Sequence, residues 1–492
     1  MFNRRNFLKI SGATAAGLLP RRSFGKQSKP NVLFIFTDQQ TWRAMSCAGN
    51  PHLSTPAMDR LAAGGVRFER AYCTSPVCGP ARGCMVTSRM PHETGVEWNG
   101  DSIRAGIPTM GNVFREHGYR TIWAGKWHLP MSYPLRAGSK RRKIDGFELL
   151  PFYDSTKNYP EWGYGDVTDE PLAEAAAAFL KRPQDKPFLM GVSFCNPHDC
   201  CYLTRRPERY PDAGAIDGPL PPLPPNYAIP PNEPEFTRQR RYEIDHYGDE
   251  VLLSKDWGER QWRVYLWNYY RMTERVDAAI GKVLKALDDA GLTDDTLVLF
   301  TSDHGDGVAS HRWTAKLSLY EEPTHIPMLV RLPGHIPAGR IDVKHLVSQL
   351  DVLPTFCDYA GIPALPSFRG RSLKSIIDNP KAKWRDYAVT ELADDTLDKS
   401  RKGRMVRTAQ YKYNVYSGGA RNEQLFDLKY DPGETRNLAY EPSMRHIVKK
   451  HRDMLRAWMQ KTNDKSCRSI FEFLNSNQDQ TNDNRPNESR FR

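Results

Sequence analysis

Asn31-Val32-Leu33-Phe34-Ile35-Phe36 runs straight into Thr37-Asp38-Gln39-Gln40. The apolar stretch has no polar alternation, so it reads as a strand buried on both faces, the kind found in parallel sheets covered by helices. Outward from it, strand and helix signals alternate. Residues 56–64 read as a short helix and 66–72 as a strand leading toward Cys78. Thr121 to Ala124 is a short strand ended by Gly125, and Leu172 to Leu180 is helical ahead of the strand Phe188 to Phe194. The clearest helix runs from Trp262 to Ala290, with Val276, Ile280, Val283, Leu284 and Leu287 on one face and Gly291 as its stop. Strand Thr296 to Thr301 follows at once. This alternation predicts an α/β fold with a mainly parallel sheet sandwiched by helices. After residue 350, Val406–Thr408, Tyr411–Tyr416 and Gln424–Leu428 read as short antiparallel strands, followed by a turn at Asp431–Glu434 and a helix over Ser443–Lys461.

In open α/β sheets, ligands bind beyond the carboxyl ends of the strands. Four of the predicted strands end in chemically capable residues: Asp38-Gln39, Lys126-Trp127-His128, Asn196-Pro197-His198 and Asp303-His304. Taken singly, an aspartate there is a helix cap, a lysine a solvated charge and a histidine a satisfied core residue. Taken together they put acids, imidazoles and lysines on one rim. Asp38, Gln39, Asp303 and His304 form an oxygen-rich set with one nitrogen, which suits a divalent cation. Cys78-Gly79-Pro80-Ala81-Arg82 adds a reactive side chain to that rim. Pro80 suits the first turn of a helix, so Cys78 falls at a helix N-terminus, where negative charge is favoured, and Arg82 falls one turn on.

Cys78 to Arg82 resembles the Cys-x-Pro-x-Arg signature of type I sulfatases, and Arg89 to Gly95 is similar to its usual continuation. Ala81 departs from the commonest form, which has serine. The resemblance covers about residues 30 to 460. It implies an alkaline-phosphatase-like catalytic domain (29–365) and a small C-terminal antiparallel sheet subdomain (366–465); the polar, Asn- and Asp-rich composition beyond predicts a disordered tail (466–492). It implies that Cys78 is oxidised to formylglycine by a maturation enzyme, and that Asp38, Gln39, Cys78, Asp303 and His304 hold the metal. Calcium is the expected ion; His304 keeps manganese and magnesium open. Lys126 and His128 match the family's Gly-Lys-x-His element. His198 matches a histidine in Asn-Pro-His, and Lys316 a lysine ahead of Ser318 to Glu322.

These residue types fit a sulfate monoester, whose charge is spread over three oxygens. Arg82, Lys126, Lys316 and the metal can hold those oxygens. By resemblance, one hydroxyl of the hydrated aldehyde attacks sulfur, His198 or Lys316 protonates the leaving oxygen, and His128 takes the proton that lets the second hydroxyl expel sulfate. Trp98, Asn99, His311 and Arg312 lie close in sequence to these motifs and are the expected substrate contacts, with a sulfated carbohydrate as substrate. The rival within the superfamily is a phosphonate monoester or phosphodiester hydrolase, suggested by Gln39 and His304. The rival from another class is a non-catalytic glycan-binding protein.

Composition adds bounds. The 492 residues, 39% hydrophobic and 26% charged, fit a soluble globular protein of two or more domains. Residues 1–25 hold five basic and no acidic side chains; beyond them 65 basic face 58 acidic, net +7. That excess suits a polyanionic substrate, but it forms no stripe with a recognition motif, so nucleic acid is not an expected partner. Arg4-Arg5-Asn6-Phe7-Leu8-Lys9, followed by the weakly apolar Ile10 to Leu19, resembles a twin-arginine export signal over residues 1–28. The apolar run is too short to span a bilayer. The expected destination is periplasmic or extracellular, with no integral membrane segment once the signal is removed. Nine cysteines occur, and their spacing assigns no disulfides. Eight prolines between residues 216 and 235 predict an extended loop.

Overall fold

Alternate side chains of a strand leave on opposite faces, and in β1 (Asn31–Asp38) both sets find a core. Leu33 and Ile35 join Val276, Ile280 and Leu284 on one side; Val32, Phe34 and Phe36 join Trp123, Val352 and Phe356 on the other. That is why the run shows no polar alternation. The computed structural model describes residues 29–129, 144–150, 165–204, 216, 218–242, 253–394 and 400–476. The expected export leader lies outside the described residues, as does the chain from residue 477 onward.

The remaining strands are β2 (Val66–Phe68), β3 (Ala71–Tyr72), β4 (Arg120–Gly125), β5 (Glu148–Leu149), β6 (Phe188–Pro197), β7 (Thr296–Ser302), β8 (Met328–Arg331), β9 (Arg340–Asp342), β10 (Val347–Ser348), β11 (Tyr387–Ala393), β12 (Lys402–Thr408), β13 (Tyr411–Tyr416) and β14 (Glu423–Asp427). Seven of them join β1 in the central sheet, in the order β5-β4-β6-β1-β7-β8-β2-β9. From β5 to β7 every pairing is parallel, and β8 runs antiparallel to both β7 and β2. Helices α1 (Pro56–Ala63), α3 (Gly165–Leu180) and α4 (Glu259–Asp289) cover one face; α2 (Cys78–Thr87) and α5 (Val352–Tyr359) pack on the other. The fold is therefore the expected α/β sandwich.

The expected strand 66–72 divides in two. Val66–Phe68 stays in the central sheet, while Ala71–Tyr72 pairs with β10 in a separate two-stranded ribbon, which turns the chain toward α2. Residues 218–234 hold neither strand nor helix, as their prolines require. The C-terminal sheet is antiparallel, in the order β11-β12-β13-β14. Its first strand was not anticipated, because Glu391 in its middle reads as a surface residue; it is buried, in an ion pair with His92. Helices α6 (Arg445–Thr462) and α7 (Arg468–Ser476) pack on this sheet. Helix α7 replaces the first part of the polar tail expected from residue 466, because Ile470 and Leu474 recur four apart and bury.

Candidate active site

The strand register brings the predicted ends together. Thr37 pairs with Ser302 across β1 and β7, and Asp38 pairs with Pro197 across β1 and β6. Asp38, Asp303 and His198 therefore emerge at one level. Gly125 ends β4 with φ +92, where an added Cβ would meet the Ser193 carbonyl oxygen at 2.1 Å. Only glycine fits there, and the turn it permits carries Lys126 back toward Asp38.

Cys78 opens α2 and is fully buried. Its Sγ lies 2.7 Å from Lys316 Nζ, 3.1 Å from His304 Nε2 and 3.6 Å from Asp38 Oδ1. Lys126 Nζ pairs with Asp38 Oδ2 at 2.7 Å. The candidate ligand atoms of Asp38, Cys78, Asp303 and His304 all lie within 4.8 Å of one another. Two carboxylates, one imidazole and position 78 form a donor set suited to a hard or borderline divalent cation. The electrostatics agree. Burial and the adjacent Asp38 charge push the Asp303 carboxyl up. Burial opposes charge on His304, yet Asp303 and Cys78 outweigh it and hold the imidazole up at about 9. Two repelling carboxylates and an imidazole drawn to its charged form are what a divalent cation relieves.

The cationic side is equally ordered. Burial opposes charge on Lys126 and on Lys316, but Asp38 in the first case and Cys78 in the second hold each ammonium above its ordinary value. Burial, reinforced by Lys126, drives both His128 and His198 well below the usual imidazole range, so both stand as neutral imidazoles near pH 7. Burial works against the Asp38 carboxylate too, but the charged Lys126 and Arg82 keep it ionised.

Arg82 differs from its expected role. Its Nε donates to Asp303 Oδ2 at 2.9 Å and its Nη2 to Asp38 Oδ2 at 2.8 Å. Its Nη1 donates to the Lys126 carbonyl and the Ser193 hydroxyl. One helical turn from Cys78, the guanidinium faces the strand ends, where it bridges the two carboxylates with one hydrogen bond to each.

Gln39 lies with its backbone in the left-handed region (φ 71), its N–H donating to Asp303 Oδ1 at 3.0 Å. Its side-chain amide donates to Asp306 Oδ2 at 2.7 Å and touches the thiols of Cys200 and Cys201. Asp306 in turn accepts from Tyr265. Asp306, Tyr265 and Ser193 were not anticipated; the one available signal was the position of Asp306 three residues after Asp303. All nine cysteines are free thiols.

Lys316 is delivered by a strained loop. Val308, Ala309, His311, Arg312, Ala315 and Leu317 all adopt positive φ, a conformation that non-glycine residues hold only when their surroundings impose it. The Trp313 indole donates to the Lys316 carbonyl at 2.9 Å, and Arg241 donates to the His311 carbonyl at 2.6 Å. Of the expected substrate contacts, Arg312 is exposed, over the Tyr227 ring at 5.1 Å. Trp98 is half-buried against the cluster containing Tyr72 and Val77. Asn99 accepts the Gly79 N–H at 2.8 Å, which supplies a cap that Val77 cannot. His311 is fully buried, its ring 4.1 Å from that of Tyr320.

This geometry has relatives. Residues 30–362 match the family model described as Sulfatase, more than half of the chain. The chain belongs to the sulfatase family. Residues 309–461 match the model for the C-terminal region of N-sulphoglucosamine sulphohydrolase, and residues 1–20 match the twin-arginine translocation pathway signal sequence. The sulfatase is 33% identical over 449 residues to a Delta 4,5-hexuronate-2-O-sulfatase of Bacteroides thetaiotaomicron, covering 89% of this chain and 90% of the relative. The structure of a 2-O GAG sulfatase superposes with a TM-score of 0.76 at 30% identity, over 89% of this chain and 93% of the other. The phosphonate monoester hydrolase of Agrobacterium radiobacter shares the fold, with a TM-score of 0.73 at 23% identity over 88% and 96%. The sulfatase is thus an exported sulfuric ester hydrolase of the alkaline-phosphatase-like superfamily. Among the described residues no helix is long and apolar enough to cross a membrane.

Proposed function

We propose that this sulfatase removes sulfate from a sulfated carbohydrate of the glycosaminoglycan type, with position 78 as the reacting residue. The observation that carries this is the convergence on Cys78 Sγ of Lys316, His304 and Asp38, in a chain one-third identical to a hexuronate 2-O-sulfatase. Asp38, Gln39, Asp303, His304 and position 78 would hold a divalent cation, calcium by preference, with manganese or magnesium also compatible with His304. Once bound and matured, the cation and a formylglycine at position 78 supply an oxygen nucleophile toward sulfur.

The chain's own residues do the rest. Arg82 holds the carboxylates of Asp38 and Asp303 in register, so it acts through the metal ligands and not on the ester. Lys126 and Lys316 present fixed positive charge to the sulfate oxygens, where charge shifts in the transition state. Lys316, nearest to position 78 and charged, is the better placed of the two candidate donors for the departing oxygen; His198, the other, is neutral near pH 7 and would have to take up a proton first. His128, neutral and half-buried, can accept the proton that releases sulfate. Arg312, Trp98 and the backbone around Asn99 form the approach for the sugar. The supporting units are a catalytic domain over residues 29–365 and a C-terminal subdomain over 366–465. Export by the twin-arginine route would take the enzyme to the periplasm or beyond, where it meets polymeric substrate.

The test is parallel turnover of a 2-O-sulfated unsaturated uronate disaccharide, 4-nitrophenyl sulfate, phenyl phosphonate ester and bis-nitrophenyl phosphate by the matured enzyme. Preference for the sulfates supports the proposal. Preference for the phosphorus esters would move the enzyme to the phosphonate branch of the fold. Glycan binding without turnover of any of the four would make it a binding protein.

A further inference from the structure

A second concave surface lies well away from Cys78. It opens beyond the C-terminus of α2, a helix about 15 Å long, where the turn at Met90 meets the segment 368–389 and the end of α6. The cleft has a volume of about 690 Å³. Trp384 is buried in its wall, and Trp458 and Phe368 are half-buried beside it. Arg371, Lys383 and Lys461 line it and are exposed.

The pairing of the cations decides what the cleft can do. Arg369, also in the lining, is neutralised by Glu93, and Arg385 by Asp351. Among the described residues, no carboxylate stands within ion-pair distance of Arg371, Lys383 or Lys461. Asp386 is the one acid in the lining. The Arg371 guanidinium stands over the Trp384 ring at 5.9 Å and that of Arg385 over it at 4.8 Å, so Trp384 carries the cations, and the half-buried Trp458 and Phe368 are the aromatic surface left to a ligand. Three uncompensated cations around aromatic walls are poor packing for a closed domain seam, and they match a ligand that carries anionic groups on an apolar-faced ring.

We propose that this cleft is a second binding site for sulfated oligosaccharide, which holds a polymeric substrate to the enzyme while a chain end is processed at Cys78. The assignment rests on the sulfated-glycan reading of the active site. Sulfate groups meet Arg371, Lys383 and Lys461, and a sugar ring lies against Trp458 and Phe368. Exposed cations of this kind act through long-range attraction that salt screens, so binding here is salt-dependent.

The experiment uses the full chain carrying Cys78→Ala, which separates binding from turnover. A heparin-derived octasaccharide, its desulfated counterpart and inorganic polyphosphate are titrated by calorimetry against this protein and against the same protein with R371A, K383A and K461A. Loss of at least about tenfold in octasaccharide affinity in the multiple variant, with little binding of the desulfated sugar, is the expected result. On the Cys78-containing background, the three substitutions should raise KM for sulfated polymer and leave kcat and KM for 4-nitrophenyl sulfate unchanged. Unchanged octasaccharide affinity overturns the proposal, and so does polyphosphate binding as tight as the octasaccharide's. Absence of 4-nitrophenyl sulfate turnover in the otherwise unaltered enzyme would instead overturn the active-site reading, because the titration does not depend on hydrolysis.

Discussion

Two regions of this molecule bury charge, and they do so differently. In the seam between the catalytic domain and the C-terminal sheet, Arg404 pairs with Asp464 at 2.9 Å and with Glu391 at 3.7 Å, and Glu391 accepts from His92 at 2.5 Å. Each cation there is answered by carboxylates inside the cluster, and the cluster is closed. At the strand ends, Asp38, Lys126, Arg82, Asp303 and His304 are also buried, but their charges converge on Cys78, and Lys316, His128 and His198 remain partly open to solvent. Buried charge alone does not mark a site. Convergence on a reactive atom at the carboxyl ends of the strands, with an approach from solvent, does.

Four perturbations separate the two regions. Cys78→Ala removes the reacting group and should lower kcat for 4-nitrophenyl sulfate by about 10⁴-fold or more, with an unchanged melting temperature. Arg404→Met leaves Asp464 and Glu391 buried without their cation, and should cost about 3–5 kcal/mol in denaturant unfolding while the folded fraction keeps its kcat. A fall in kcat without a fall in stability would mean that the seam belongs to the catalytic machinery. Lys126→Ala takes one fixed charge from the sulfate oxygens and should lower kcat about 10²- to 10³-fold, read by steady-state kinetics at saturating substrate.

The fourth is a pH dependence of stability. Burial opposes charge on His92, but Glu391 overrides it and raises the imidazole to about 9 from an ordinary 6.5. A raised folded value contributes stability in full below the unfolded value and loses it as pH rises through the folded one. The contribution is therefore complete below about pH 6.5 and gone above about pH 9, with an upper bound of about 3 kcal/mol. Asp464 has the opposite sign: burial works against it, Arg404 holds it down at about 2, and its contribution disappears as acid approaches that value. Thermal unfolding between pH 6 and 10 should show the alkaline loss, and His92→Gln should reduce it. Burial opposes charge on His304 too, but Asp303 and Cys78 hold it at about 9, so it contributes with the same sign in the metal-free protein, and part of the alkaline loss should persist in His92→Gln.

What the sequence made legible follows the same division. The parallel core was readable because Val32 to Phe36 and Leu297 to Phe300 are unbroken apolar runs and the α4 stripe repeats with a helical period. The strand-end residues were readable because adjacency to a strand terminus is a sequence property. The role of Arg82 was not, because four residues from Cys78 says which helix face it occupies and nothing about Asp38 and Asp303 opposite it. Asp306, Ser193 and Glu391 escaped for the same reason: a buried polar residue is satisfied by partners far away in the chain, 267, 111 and 299 residues distant here, and no local period records them. The division of 66–72 between two sheets, and the helix at Arg468–Ser476, likewise depend on which surfaces lie nearby.

On the proposed function, position 78 is encoded as a precursor and acts after conversion to formylglycine. Mass spectrometry of the peptide containing residue 78, from enzyme active on 4-nitrophenyl sulfate, tests it most directly. The aldehyde form should weigh about 18 Da less than the thiol form, in a proportion that tracks specific activity. Fully active enzyme whose residue 78 carries the mass of an unmodified cysteine would contradict it.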